Sequence, residues 1–208
     1  VTGHEAAAHG GAVTSLVLIP AIASKVDIPV IGTGGFADGR GLLAALSLGA
    51  DGIAMGSRLA TSKESPLHQN TKNAVLEKSE QDTIYSNNFD GLYARVMRTP
   101  ASIKATRKPM GFIQASWQAT KAAKIVNQSI WKVLAGMLLM VNKVKLLAYF
   151  GASVPKIQAA TVDGDLSKGV QFIGQTQGLI NDIATVEEIL TRTVKEAQAI
   201  QENLGKAF

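Results

Sequence analysis

Cysteine is missing from the chain altogether. That excludes disulfides, thiolate metal centres and cysteine nucleophiles together. A leader peptide is not expected either, because residues 1–11 have no basic start followed by an apolar stretch. Uninterrupted apolar runs of membrane length are absent. The most apolar segment, Trp131–Ala152, is broken by Lys132, Lys143 and Lys145 before it reaches the ~18–20 residues that a span needs. No repeat and no low-complexity tract occurs. His4 and His9, the two histidines of the first loop, are not four apart as a helical metal pair would be, so no metal site is expected.

What remains is an ordinary globular composition. The 208 residues are 46% hydrophobic and 18% charged, with a formal net charge of +5 and a pI near 9.5. The mild basicity suits an anionic ligand and demands none. The absence of cysteine fits a cytoplasmic enzyme, for which a small-molecule substrate is expected and neither nucleic acid nor an integral membrane is expected as partner.

The organisation is read from patterning. Residues 1–12 have the composition of a loop. Ser15–Lys25 reads as a helix with Leu16, Ile19 and Ala23 on one face and Pro20 inside it. Ile28–Gly32 reads as a strand, and Asp38 is placed to cap a helix that runs through Leu42, Leu43 and Leu46 and stops at Gly49. Asp51–Met55 reads as the next strand. Both apolar strands, Ile28–Ile31 and Ile53–Met55, are expected to be buried on both faces. Ser65-Pro66 marks the start of a helix to about Lys78. This alternation predicts a parallel α/β sheet or barrel.

Beyond residue 80 the pattern changes. Thr83–Ser86 reads as a short strand, Phe89–Arg95 as turn and loop, residues 114–150 as helical and Thr161–Gly178 as loop. A capping box at Thr185 and Glu188 starts the last helix, with Val186, Leu190, Thr193, Ala197, Ile200 and Leu204 on its inner face. Three regions are expected: 1–80, 81–160 and 161–208. The basic helical stretch carries Lys121, Lys124, Lys132, Lys143 and Lys145 between Trp117, Trp131, Tyr149 and Phe150. It reads as the solvated face of an insertion that covers the site or makes a dimer contact.

Two glycine turns carry the chemistry. Gly32-Thr-Gly-Gly35 follows the first strand and Met55-Gly-Ser57 follows the second. Glycine has no Cβ, so backbone N–H groups at such turns approach a phosphate closely. Paired turns at consecutive strand ends match the phosphate site of an eightfold barrel. Arg58 either adds charge there or ties down the loop. His9, flanked by glycine, can project its imidazole into a cleft and move protons near neutral pH.

These residues, in order, resemble the nitronate monooxygenase family, which also includes flavin-dependent enoyl-thioester reductases. The resemblance rests on Gly3-x-Glu5-Ala6-x-x-His9-x-Gly11, Pro29-Val-Ile-x-x-Gly34-Gly35, Gly49-Ala-Asp-Gly52 and Met55-Gly-Ser-Arg58. It extends through Ser62-Lys-Glu-Ser65, Phe89-x-Gly91-x-x-x-Arg95, Gly164-Asp-x-x-x-Gly169 and Gly174-Gln175-x-x-Gly178. One departure is Ala7-Ala8, where the family usually carries Gly-Gly. The resemblance implies the C-terminal part of a (β/α)8 TIM barrel with an added helical region, and FMN as cofactor. Gly34, Gly35, Gly56, Ser57, Ala7 and Gln175 would hold the cofactor, and His9 would be catalytic. The implied reaction is oxidation of nitronates with molecular oxygen. The alternatives are an NAD(P)H-dependent enoyl-thioester or quinone reductase and, in another class, a non-catalytic half-barrel binding module. The remaining barrel strands are expected from the same chain or a second one, and a homodimer is possible.

Overall fold

The structure, a computed structural model, describes residues 1–7, 9–107, 110–125 and 144–206. The chain divides into two compact units. One comprises Val1–Leu67, Lys72–Thr83 and Ile173–Phe208, the other His68–Thr71 and Ile84–Phe172.

The first unit is built on parallel strand pairing. β1 (Ile31–Thr33) pairs with β2 (Gly52–Ala54) in parallel, with Gly32 opposite Ile53. Residues 1–3, expected as loop, form a third parallel partner on the other side of β1. Thr33 N donates to Val1 O and Gly3 N to Thr33 O, both at 2.9 Å. Helices follow the strands in turn: α1 (Ser15–Ala23), α2 (Gly39–Ser47) and α3 (Gly56–Ala60). This is the βα alternation that the patterning predicts.

Local chemistry sets the ends of these elements. Asp38 accepts from Gly41 N at 3.1 Å and caps α2. Leu48 closes the helix and Gly49 follows at φ +91°, the left-handed conformation that lets the chain turn back into a strand. The Asp51 carboxylate accepts from Val30 N at 2.7 Å while Asp51 N donates to Val30 O at 2.8 Å, so this aspartate fixes the strand register.

The expectation of strands buried on both faces fails. Gly32 is buried against Ile19 of α1, but Ile31 is 47% exposed, Ala54 is exposed, and Ile28 stands outside the strand at 71% exposure. Successive side chains of a strand point to opposite faces. One face meets the helices, and the other, the interior side of the curved sheet, is uncovered. The core lies on the helix side, around Ile19, Phe36, Ala45, Ala50, Met55, Ala184 and Ile189. On α1 the inward residues are Ser15 and Ile19, and Leu16 is turned out.

The last helix, α8 (Val186–Gly205), packs on α2. Its capping box forms as expected, with Thr185 and Glu188 exchanging side-chain-to-backbone bonds. Of its expected inner face Thr193 and Ala197 are buried and Val186 and Ile200 half-buried, whereas Leu190 and Leu204 are exposed and Ile189 is buried in place of Leu190. The phase is set by Gly39, where a Cβ would lie 2.4 Å from Ala197 N, so α2 and α8 meet backbone to backbone. The Glu64 carboxylate accepts from Val186 N at 2.9 Å, which explains the acidic residue at that place in the sequence.

In the second unit β3 (Thr83–Ser86) pairs with β4 (Ala94–Met97). Ala94 and Arg95, expected as loop, belong to this strand. The reason is tertiary: Val96 bridges Phe172 antiparallel, and Met97 N donates to Gln171 O at 2.8 Å. Phe89, Val96, Ala105 and Val170 form a small core, joined by α5 (Pro100–Arg107). Two longer helices, α6 (Phe112–Ile125) and α7 (Val144–Thr161), pack through Ala115, Ala148 and Ala152, and Gly151 meets Ala119 where a Cβ would come within 2.7 Å. Small residues on both helices allow this close approach. Of the expected helical region 114–150, residues 114–125 and 144–150 are helical and residues 126–143 lie outside the described residues; the last helix runs to Thr161, eleven residues beyond the expected end at 150. Lys121, Lys124, Trp131, Lys132 and Lys143 lie outside the residues whose side chains are described. No helix among the described residues is long and apolar enough to cross a membrane.

α4 (Gln69–Leu76) begins after the expected Ser65-Pro66 start. Ser65 Oγ instead accepts from Leu67 N at 3.2 Å in a local turn, and His68 Nδ1 accepts from Asn70 N at 3.1 Å as a cap.

One ionic clamp holds α8. Buried Arg58 donates to Asp182 O at 2.9 Å and pairs with its carboxylate at 2.5 Å, and Arg192 approaches the second carboxylate oxygen at 2.7 Å. Burial opposes the Asp182 charge, but the Arg192 hydrogen bond and the two guanidinium charges outweigh it and hold the carboxyl below its ordinary 3.8. A depressed folded pKa gives stability that is present above the unfolded pKa and lost as pH falls through the folded one. Solvent screens the shift at Asp182, whose side chain is 38% exposed; Asp182→Asn should lower Tm at pH 7 by roughly 3–9 °C, equivalent to about 1–3 kcal/mol, chiefly by leaving buried Arg58 without its carboxylate. It should also flatten the acid limb of the stability curve below about pH 3.9. A Tm-against-pH series checks both, and identical curves for variant and parent would show that the clamp carries no stability.

Candidate functional site

The ends of the parallel strands converge on one concavity of about 170 Å³. Both glycine turns reach it: Thr33, Gly34 and Gly35 from the end of β1, and Ala54, Gly56 and Ser57 from the end of β2. Glu5, Ala6 and Ala7 wall it from the N-terminal loop, and Gly174 and Thr176 from the returning segment.

Its shape depends on missing side chains. Gly34 and Gly35 both have φ near +90°, a region that L residues other than glycine rarely adopt. A Cβ on Gly56 would meet nothing within 4 Å, and one on Gly35 only the Glu5 side chain at 3.7 Å. The space in front of both turns is therefore open to a ligand that uses backbone N–H groups.

One hydroxyl orients the first turn. Ser15, buried at the start of α1, donates to Gly34 O at 2.6 Å. The peptide unit is planar and trans, so its C=O and N–H point in opposite directions. Holding Gly34 O on Ser15 turns Gly35 N–H away from α1. The Glu5 carboxylate accepts from Ser15 N at 3.1 Å and lies 3.2 Å from Ser15 Oγ. Its charge is thereby spent on the N-terminus of α1, which has no side-chain cap from Thr14, and is not directed at an anion in the concavity.

The second turn is tied differently. Ser57 Oγ accepts from Gly174 N at 2.8 Å, and Gln175 N donates to Glu5 O at 2.9 Å. Gly174 must be glycine, because a Cβ would lie 2.7 Å from Glu5 O. These bonds bring residues 5–7, 57 and 174–176 together although they are far apart in sequence.

Of the residues expected to hold the cofactor, Ala7, Gly34, Gly35, Gly56 and Ser57 line the concavity. Gln175 joins the wall through its backbone, between the lining residues Gly174 and Thr176. His9 is exposed and is not among the lining residues. Arg58 does not face the concavity; it is spent on Asp182, which settles its two readings in favour of tying down the chain. Sequence reasoning missed Ser15, Thr33 and Thr176. Ser15 looks like an ordinary helix start, and only the carbonyl it meets shows its role. No group of three or more potential metal ligands occurs among the described residues.

Comparison with known proteins fits this geometry. The nitronate monooxygenase family model matches residues 1–196. The chain belongs to the nitronate monooxygenase family. It is 33% identical over 204 residues to the (3aS,4S,5R,7aS)-5-hydroxy-7a-methyl-1-oxo-octahydro-1H-indene-4-carboxyl-CoA dehydrogenase of Rhodococcus jostii, covering 95% of this chain and 58% of that protein. It is 41% identical over 104 residues to a probable nitronate monooxygenase of Staphylococcus haemolyticus, covering 45% of this chain and 29% of the relative. Among solved structures, FabK from Thermotoga maritima matches all of this chain and 56% of its own length, at 32% identity and a TM-score of 0.73. The family's fold is the (β/α)8 barrel, and this chain carries part of one with an added helical region. It spans little more than half the length of the relatives that it matches throughout.

Ser15→Ala should release the peptide between Gly34 and Gly35. Loss of one neutral hydrogen bond, about 1 kcal/mol, predicts a roughly fivefold larger population of the released turn, read as a lower backbone 15N order parameter at Gly35, with Ile53 and Ala45 unaffected. Ser15→Thr should restore the order. Equal order parameters in all three proteins would show that the hydroxyl does not orient the turn.

Proposed function

We propose that this chain forms the phosphate end of an FMN site in an oxidoreductase, and that the assembled enzyme oxidises nitronates with molecular oxygen. The observation that carries the reading is the convergence of two glycine turns, at consecutive parallel strand ends, on one concavity whose floor is backbone. At about 170 Å³ the concavity suits a phosphate group and not a whole flavin, since pockets for complete small molecules run to about 300–1,000 Å³. Open space beyond Gly35 and Gly56, an oriented Gly35 N–H and a Glu5 carboxylate turned toward α1 all fit an anion there. FMN, when bound, supplies the redox chemistry: it accepts electrons from the substrate, and oxygen is the final acceptor.

The chain's own part is binding and orientation. Gly34, Gly35, Gly56 and Ser57 hold the phosphate on backbone groups, and Ala7 and the Gly174–Thr176 segment close the sides. His9, on the loop that continues from Ala7, is proposed to move a proton on the substrate. The remaining N-terminal barrel strands come from the same chain or a second one, and separately the assembled protein pairs as a homodimer.

A second reading is favoured by one fact. Relatives at least 30% identical that match nearly the whole chain include the carboxyl-CoA dehydrogenase and FabK, whereas the probable nitronate monooxygenase of Staphylococcus haemolyticus matches 45% of it. On that reading the substrate is a thioester and a nicotinamide cofactor is the redox partner. Oxygen uptake with propyl-2-nitronate supports the first reading; NAD(P)H oxidation driven by an enoyl-CoA supports the second.

Gly56→Val tests the cradle without straining a left-handed residue, because its Cβ and methyl groups enter only the open space. FMN affinity should fall by about tenfold or more, the effect of losing one good phosphate contact. Unchanged affinity would place the phosphate elsewhere. His9→Ala should retain FMN and lose roughly 10²-fold or more in turnover, the scale of a lost acid–base group. Full turnover in that variant would leave His9 a loop residue.

A further inference from the structure

One cavity of the second unit, about 470 Å³, lies away from the glycine turns in sequence and has no role so far. Its wall combines α5, α6 and α7 with the loop that follows α7. Ala101, Ala105 and Met110 give an apolar side, and Gln114 and Gln118, one turn apart on α6, give two amide groups. Lys104, Lys156 and Lys168 line the rest.

The charges are not balanced. Lys168 pairs with Asp165 at 3.1 Å, and that carboxylate is further committed to Ser167 Oγ and N at 2.6 and 3.0 Å. Ser167 and Lys168 hold it well below the ordinary range, at about 2, so it stays ionised and engaged. Among the described residues no carboxylate forms an ion pair with Lys104 or Lys156. Lys156 is half-buried, and burial together with the Lys104 charge pushes its ammonium below the usual lysine value. Two ammonium groups that face one cavity repel each other, and a partly desolvated one lacks the water that would screen it. An anion between them removes both penalties.

We propose that this cavity binds a phosphoryl group carried on an organic body, with Lys104 and Lys156 as its charge partners. The cavity volume lies within the range of small-molecule pockets. The lysines supply point charges to phosphate oxygens, the Gln114 and Gln118 amides can donate to the same oxygens, and the alanine–methionine side accepts apolar substituents. Nothing in this depends on the flavin reading, since no residue of the glycine concavity takes part.

The test uses the full chain carrying Gly56→Val, so that the glycine concavity is blocked and the two sites are scored separately. Inorganic pyrophosphate and ADP are titrated by calorimetry and by side-chain amide NMR of Gln114 and Gln118. Saturable binding of both, with ADP tighter, is expected if the apolar wall contributes. Pyrophosphate alone would show that a free polyphosphate is the ligand. Lys156→Met and Lys104→Met should each weaken binding by about tenfold or more, and Lys195→Met, on exposed α8, should not. In phosphate-free buffer Lys156→Met should also keep or raise Tm, because it removes a charge without a partner. No saturable binding, equal losses in Lys195→Met, or a clear fall in Tm for Lys156→Met would each overturn the proposal.

Discussion

The short bond from Ser15 Oγ to Gly34 O is the constraint on which the site depends. It joins the first turn of α1 to the end of β1 and settles the direction of the next peptide N–H. Glu5 completes the arrangement by capping α1 from the preceding loop. A single buried serine therefore couples the N-terminal loop, the helix and the glycine turn.

The rest of the first unit supports that junction from behind. Parallel pairing of residues 1–3 with β1, and of β1 with β2, sets strand ends side by side, where glycine turns can converge. The returning segment then closes the concavity through Gly174 and Gln175, and the Arg58–Asp182–Arg192 clamp holds the helix that follows. Arg58 is buried, so its charge is tolerated only because Asp182 supplies both a carbonyl and a carboxylate. The uncovered interior face of the strands is the counterpart of this economy. Helices cover one side of the sheet, and a barrel interior is filled only when strands surround it.

The second unit follows a different logic. Its helices pack through alanine and glycine, which brings backbones close and leaves little apolar mass between them. Three lysines and two glutamines line one of its cavities beside an apolar side. Lys156 is half-buried beside Lys104, and among the described residues no carboxylate pairs with it. Around Phe89 and Val96 the unit keeps a conventional small core, and Arg95 lies over the Tyr85 ring at 5.3 Å from its centroid.

Much of this was legible in the chain itself, because the signals were local. Asp38 and Thr185 cap their helices wherever those helices sit, Gly49 turns the chain at positive φ, and glycine pairs after apolar strands mark close backbone approach. The α/β alternation, the two turns and the family resemblance followed from such features. What tertiary structure decided were the matters that depend on a distant partner. Residues 1–3 pair with β1, through the bridge from Thr2 to Thr33, because β1 offers free ladder positions, and Ala94–Met97 is strand because β3 and Phe172 flank it. The buried face of α8 is set by Gly39, and Arg58 serves the fold because Asp182 lies within reach. Local chemistry fixes how a segment begins and ends; which of its faces is buried, and what its charges do, is fixed by the residue that the fold places opposite it.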